Sequence, residues 1–446
     1  MIRLFLAIVT VLLVNTSVWA GDWPQFMGPH RNGISGETGL LRQWPCSGPR
    51  EVWSEEIGEG YGGASIKEGK VYILDRRNNR YDSLRCFDLL TGKDLGRYDN
   101  EVRGRIGHNG SRSVPALGDQ LIFAVGPFGH VYCIDQKTAD FVWGVDMVRQ
   151  YQAEVPKWGY SHSPLLVKDM VVVAPQSERV GLIALDQATS DVRWESPPIP
   201  GSSYVSPVLA TISGQEGVLF QTGSEVVFLN AETGTVIWRY TQISRRHAIP
   251  FPTVLDKDRV FITGGYGGGS VMIEIKQQAE KVSFEELFRF EGEGSVIHPA
   301  IFYNDHLFAN FNTNENLRQR AARGLVCFDV AGNIKWATGE VFGMDRGAFI
   351  IADDLIIAVA AGTGELILAD ANPEVFNGLS RVEIFGGGRE SEIWAPLALS
   401  EGYLVVRGRE HLKCFYLKAL EPGRSEENDD DQRDRSSRRN LERGNY

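Results

Sequence analysis

The sequence is poor in what several protein classes require. It has five cysteines in 446 residues, with no Cys-x-x-Cys, no adjacent pair and no zinc-type Cys/His spacing, so its thiols suggest neither a disulfide framework nor a metal cluster. Beyond residue 14 no apolar run approaches the roughly 20 residues of a membrane-spanning helix. Basic charge is short: 46 Lys and Arg against 57 Asp and Glu give a formal net charge of −11. That is the wrong sign for a nucleic-acid or anionic-membrane surface. Helical periodicity is almost missing between residues 59 and 417. Apolar residues instead alternate with period two over short runs, which makes the chain all-β. The Gly-x-Ser-x-Gly elbow of a hydrolase, the Lys-Ser/Thr ending of a phosphate loop and the Gly-His…Trp-Asp repeat signature are also missing. The stretch GGYGGGS at 264–270 therefore reads as a hairpin turn.

What is present is a repeat. Its clearest copy runs VLFQTGSEVVFLN then AETGTVIW, ending at Trp238. It returns as VYCIDQKTADFVW, LIALDQATSDVRW and LVCFDVAGNIKW, ending at Trp143, Trp194 and Trp336. A turn-then-strand step begins its apolar run at Val71, Leu121, Val171, Val218, Val260, Leu307, Leu355 and Leu404, about every 47 residues. A second ruler, Ala64, Pro115, Pro164, Pro207, Pro252, Pro299, Ala348 and Pro396, gives the same count. The expected fold is an eight-bladed β-propeller of four-stranded antiparallel blades, because radial stacking buries both faces of each sheet. The last unit is one strand short. The segment around Trp53, REVWSEEIG, has no unit before it, so it is expected to supply that strand and close the ring.

The chain divides accordingly. Residues 1–20, with Arg3, an apolar stretch and Val18-Trp19-Ala20, read as a secretory signal peptide. Residues 21–58 form an irregular lead-in and the closing strand, and 59–420 the propeller. Residues 421–446 are too charged to bury a core and read as a disordered tail. Candidate excursions from the repeat are 97–111, 147–158 and 312–323. Asp88, Asp135, Asp186 and Asp329 end third strands and are assigned to capping the following turn, a structural role. Cys86, Cys133, Cys327 and Cys414 share one repeat position, a small buried slot on different blades, so pairing is not expected. Cys46 lies outside the pattern.

Propeller ligands are expected at the mouth where the innermost strands begin. The segments there carry Arg112, Trp158, His162, Tyr204, His247, His298, Arg346 and Trp394, with His108, Asn109, Tyr160 and Arg246 beside them. Such a rim of His, Arg and aromatic groups suits a carboxylate, a sugar or a peptide. It equally suits side chains that bond one another and channel water. His108, His162, His247 and His298 come from different units without close ligand spacing, so no metal site is expected. No catalytic residue is singled out.

The phrase apolar-Asp-x-x-Thr-Gly-x-x-x-Trp resembles the pyrroloquinoline-quinone-type repeat over nearly all of 22–417. That repeat builds the eight-bladed propellers of quinoprotein alcohol dehydrogenases and of the outer-membrane assembly factor BamB. Kinship with the dehydrogenases would imply paired cysteines over a quinone, a tryptophan beneath it, a calcium held by carboxylates and amides, and a catalytic Asp. Trp158 or Trp394 could serve as the floor, but the cysteine pair is missing. Kinship with BamB would imply a periplasmic scaffold, though no cysteine follows the apolar run to carry a lipid. The preferred expectation is an exported, periplasmic or extracellular, non-catalytic binding or scaffolding propeller. It would be monomeric, without a cofactor, and would engage an envelope protein or peptide, or a small ligand. The alternative is a quinoprotein-like oxidoreductase using pyrroloquinoline quinone with calcium.

Overall fold

The computed structural model describes residues 21–278, 281–312, 323–342, 344–386 and 392–419. The signal-peptide and tail assignments, and most of the excursion at 312–323, lie outside the described residues.

Eight separate sheets follow the repeat. Blades 1 to 7 take four successive antiparallel strands each, over 65–101, 116–146, 165–195, 208–240, 253–290, 301–337 and 349–383. Blade 8 takes three strands from 398–416, and its outer strand is Arg50–Glu56, antiparallel to His411–Tyr416 with Trp53 opposite Cys414. The ring is therefore closed by the N-terminal strand, as the spacing predicts. Inner strands such as Val226–Asn230 are buried on both faces and read as unbroken apolar runs. Outer strands such as Asp94–Glu101 alternate half-buried with exposed residues, since only one face meets a neighbour.

The repeated Asp and Trp form one joint between blades. Asp186 accepts the backbone N–H of Ala188 at 2.9 Å and of Thr189 at 3.0 Å, the Asx turn that ends a third strand. The tryptophan of the preceding blade bonds to a carbonyl at that turn. Trp53 donates Nε1–H to Leu89 (2.8 Å), Trp143 to Gln187 (2.9 Å), Trp194 to Ala231 (3.0 Å) and Trp336 to Asn372 (2.9 Å). Cys133, Cys327 and Cys414 pair across the ladder with Trp143, Trp336 and Trp53, and none of the five cysteines is bonded to another. The 264–270 stretch is a turn between the strands Arg259–Gly264 and Gly269–Gln278.

Two details differ from the sequence expectation. The excursion at 97–111 begins inside the strand Asp94–Glu101, and that at 147–158 opens with the helix Met147–Tyr151, whose N-cap Asp146 accepts from the Arg149 N–H. The lead-in, expected to be irregular, has a second task. Trp23 exchanges two backbone hydrogen bonds with Ile66, and Leu117 donates to the Pro24 carbonyl. Arg31 donates to the carbonyls of Pro164 and Pro207, and Ile34–Ser35 runs parallel to Ile351–Ala352 as a fifth strand on blade 7. These partners lie on or just ahead of innermost strands from blades 1, 2, 3, 4 and 7, so the lead-in crosses the axis and stops the channel. An open inner edge offers unpaired backbone groups, and a passing chain satisfies them.

Candidate functional site

Above this plug lies a cavity of about 320 Å³ at the mouth where the innermost strands begin. Its walls follow the proline ruler. Tyr61, Arg112, Ser161, Tyr204 and Ile249 stand three residues ahead of the ruler residue in blades 1 to 5. Ile297, Arg346 and Trp394 stand two ahead in blades 6 to 8. Every blade thus sends one side chain to the axis. Phe26 of the plug also lines the cavity and packs edge-on against Phe251, 5.7 Å between centroids. The site is a cup with a floor.

Two aromatic groups shape it. From blades 1 and 8, Tyr61 and Trp394 stack at 4.8 Å, with Arg112 5.2 Å from the Tyr61 centroid and Arg346 5.2 Å from the Trp394 centroid. His108 packs against both rings. From blades 3 to 5, Trp158 lies 5.2 Å from Tyr204, 4.6 Å from His247 and 6.4 Å from Tyr266. Flat rings with cations over their faces form a rigid surface that stacks planar or ring-shaped ligands.

The charges divide into paired and unpaired. Glu392 accepts the Tyr61 hydroxyl at 3.3 Å and faces Arg409 at 3.6 Å, while Arg409 also bonds Glu59 at 2.7 Å. Among the described residues Arg112 bonds only carbonyls, those of Gly107, His108 and Gly110. Burial lowers its pKa to about 10. Arg346 has the partly exposed carboxylate of Asp345 at 3.3 Å. Burial holds His298 neutral, with its pKa lowered to about 4. Its Nε2–H donates to the Trp394 carbonyl at 3.1 Å. Burial, followed by Arg112, also lowers the His108 pKa.

Of the eight rim residues predicted from sequence, six line the cup: Arg112, Trp158, Tyr204, His298, Arg346 and Trp394. His247 packs behind Trp158 without lining it. His162 does not reach it. The ring is buried, accepts the Ala174 N–H on Nε2 at 3.1 Å, and has its pKa lowered to about 3 by burial and then by Arg31. Sequence reasoning missed Tyr61, Glu392, Tyr266 and Phe26. The ruler points to Tyr61, three residues ahead of Ala64. Tyr266 sits on an inter-strand turn and Phe26 on the plug, where no repeat marks them.

A quinone with calcium does not fit this cup. Among the described residues no cysteine lines it, and the one carboxylate that does, Glu392, is engaged by Tyr61 and Arg409. Among the described residues no three His, Cys, Asp or Glu are grouped to hold a metal. Only the tryptophan element of the set has counterparts, in Trp158 and Trp394.

The fold has solved relatives at low identity. BamB from Moraxella catarrhalis is 13% identical with a TM-score of 0.57, covering 84% of this chain and 99% of that one. A europium-containing methanol dehydrogenase is 12% identical with a TM-score of 0.61, covering 87% and 89%. A quinohemoprotein alcohol dehydrogenase from Comamonas testosteroni is 12% identical with a TM-score of 0.61, covering 91% and 82%. At such identity the likeness shows the fold alone. No curated protein matches the sequence significantly. The family profile described as outer membrane protein assembly factor BamB matches residues 80–310, more than half of the chain. With the eight four-stranded blades in place, this chain belongs to that BamB family of PQQ-type repeat propellers.

Proposed function

We propose that this chain is an exported, non-catalytic binding protein that receives its partner in the axial cup. The observation that carries this reading is the cup itself, a floored recess to which every blade contributes. Among the described residues none of its polar side chains forms a nucleophile–base pair. At about 320 Å³ it admits a small ligand or the tip of a larger envelope partner, not a folded protein face. The signal-like segment at 1–20 and the acidic balance suit life outside the cytoplasm.

The test is capture from an envelope fraction, comparing the wild type with an Arg346→Ala/Trp394→Ala variant of unchanged melting temperature. The expected result is a specific partner or ligand retained by the wild type and lost by the variant. Equal retention would move the binding site off the cup. In a parallel arm the protein is given pyrroloquinoline quinone and calcium with alcohols or sugars and a redox dye. Turnover there would overturn the non-catalytic reading.

A further inference from the structure

We propose that the cup takes an acidic sugar ring, a hexuronic acid residue, with its carboxylate at Arg112 and its ring extending toward Trp158. The inference rests on the binding reading above and names the ligand class for the same site.

The charge pattern points to an anion. Arg112 and Arg346 flank one stack, Tyr61 on Trp394, so a guanidinium group stands over each outer side of that pair. The carboxylate at that stack, Glu392, already faces Arg409 and the Tyr61 hydroxyl. Among the described residues Arg112 has carbonyl acceptors alone. A guanidinium held largely away from water without a counter-ion is poorly stabilised, and an incoming carboxylate corrects that with a charge-assisted hydrogen bond from an N–H that no carbonyl takes. Burial already lowers the Arg112 pKa, consistent with a cation lacking its anion.

The remaining groups favour a sugar over an aromatic acid. Ser163 Oγ accepts the Val114 N–H at 2.9 Å, and Ser206 Oγ accepts the Ser163 N–H at 2.9 Å. Each hydroxyl keeps its own proton to donate, and both serines line the cup while being almost wholly buried. A sugar offers ring hydroxyls to those donors and a C–H face to the indole of Trp158. A benzoate-like ligand would press carbon against them and leave them unpaired, which a buried site penalises. The volume, about 320 Å³, is at the small end for ligand sites, which suits one ring.

Trp158 and Trp394 provide the signal for titration. Glucuronate, galacturonate, glucose, galactose and benzoate are titrated into the full mature chain, followed by tryptophan fluorescence and calorimetry. A uronate is expected to bind at least about tenfold more tightly than its neutral sugar and than benzoate. Arg112→Gln is expected to remove that margin and Arg346→Gln, at a partly exposed position across the stack, to reduce it, which keeps the test open if Arg112→Gln unfolds. Equal affinity for acid and neutral sugar, a preference for benzoate, or no uronate binding at millimolar concentration overturns the proposal. If uronates fail while envelope capture still depends on Trp394, the ligand class is wrong and the binding reading stands. If both fail, both fall.

Discussion

Tyr61 and Trp394 lie face to face, 4.8 Å between centroids and 22° between planes, although 333 residues separate them in sequence. One leads into the first blade and the other into the last, so the stack sits directly over the seam of the ring. Below it Arg407 donates to the carbonyls of Gly58 (2.9 Å), Gly62 (2.8 Å) and Leu74 (2.9 Å), fastening blade 8 to blade 1. The candidate site and the closure of the fold are therefore one structural problem, and damage to the seam is expected to reach the cup.

The first prediction concerns Trp53, the seam's copy of the inter-blade tryptophan. Trp53→Ala removes a buried indole and its hydrogen bond to Leu89 and is expected to cost about 3–5 kcal/mol. Trp53→Phe keeps most of the packing and is expected to cost about 1–2 kcal/mol, chiefly the lost donor. Chemical denaturation of the two variants orders them. Trp53→Ala with wild-type stability would show that closure does not depend on this joint.

The second prediction separates backbone strain from contact. Gly234 (φ +68°) and Gly214 (φ +76°) both occupy the left-handed region, where an added side chain costs about 1–2 kcal/mol. A Cβ on Gly234 would also lie 2.4 Å from the Trp194 ring, whereas one on Gly214 would meet nothing within 4 Å. Gly214→Ala is expected to show the backbone cost alone, and Gly234→Ala clearly more. Similar melting temperatures for the two would mean that the tryptophan does not rest on the Thr-Gly turn.

Local repetition explains what the sequence made legible. Turn aspartates, joint tryptophans and the Cys slot each recur at a fixed distance along the chain, because every blade solves the same packing problem. Arg112, Tyr204 and Trp394 were found because they ride on that repeat. His162 was misplaced because residues one to three ahead of the proline alternate in direction: Ser161 and Ser163 face the cup while His162, between them, turns into the core. Phe26 and the fifth strand at Ile34–Ser35 were illegible for a different reason. A plug fits a channel that exists only after the ring has closed, so its contacts leave no period.

The third prediction concerns acid stability. Burial holds His162 and His298 neutral in the fold, lowering their pKa values from 6.5 to about 3 and about 4. The unfolded chain takes up both protons near pH 6.5. Between roughly pH 6.5 and 4 it therefore binds more protons than the folded chain, and stability falls as the pH drops through that window. His298→Gln is expected to shrink the loss of melting temperature between pH 7 and pH 5. An unchanged slope would place the acid sensitivity elsewhere.

The fourth prediction uses the thiols. Cys46 is exposed, Cys86 half-buried and the other three buried, and burial pushes the Cys133 and Cys327 thiols up to about 12. Because the thiolate is the reactive form, a thiol reagent at pH 8 is expected to label one cysteine quickly in the native protein and all five after unfolding. Rapid labelling of Cys133 or Cys327 in the native state would contradict the slot on the third strand.

The fifth prediction tests the plug. Arg31 spans from the lead-in to the carbonyls of Pro164 and Pro207 and to Gln25 Oε1 (2.8 Å), with no carboxylate among these partners. Burial without an anion lowers its pKa to about 9. Arg31→Met roughly preserves the volume but leaves two buried carbonyls without donors, at about 1–3 kcal/mol each, offset in part by no longer burying a charge. A net loss of about 1–3 kcal/mol is therefore expected. The sharper readout is local. The amides of Trp23, Ile66 and Ile351, whose bonds tie the lead-in to the inner strands, are expected to exchange faster in the variant. The amides of outer-strand ladders are expected to be unchanged. Uniform acceleration everywhere would mean that Arg31 supports the ring as a whole, and that the floor of the cup is held by Phe26 and Met27 packing instead.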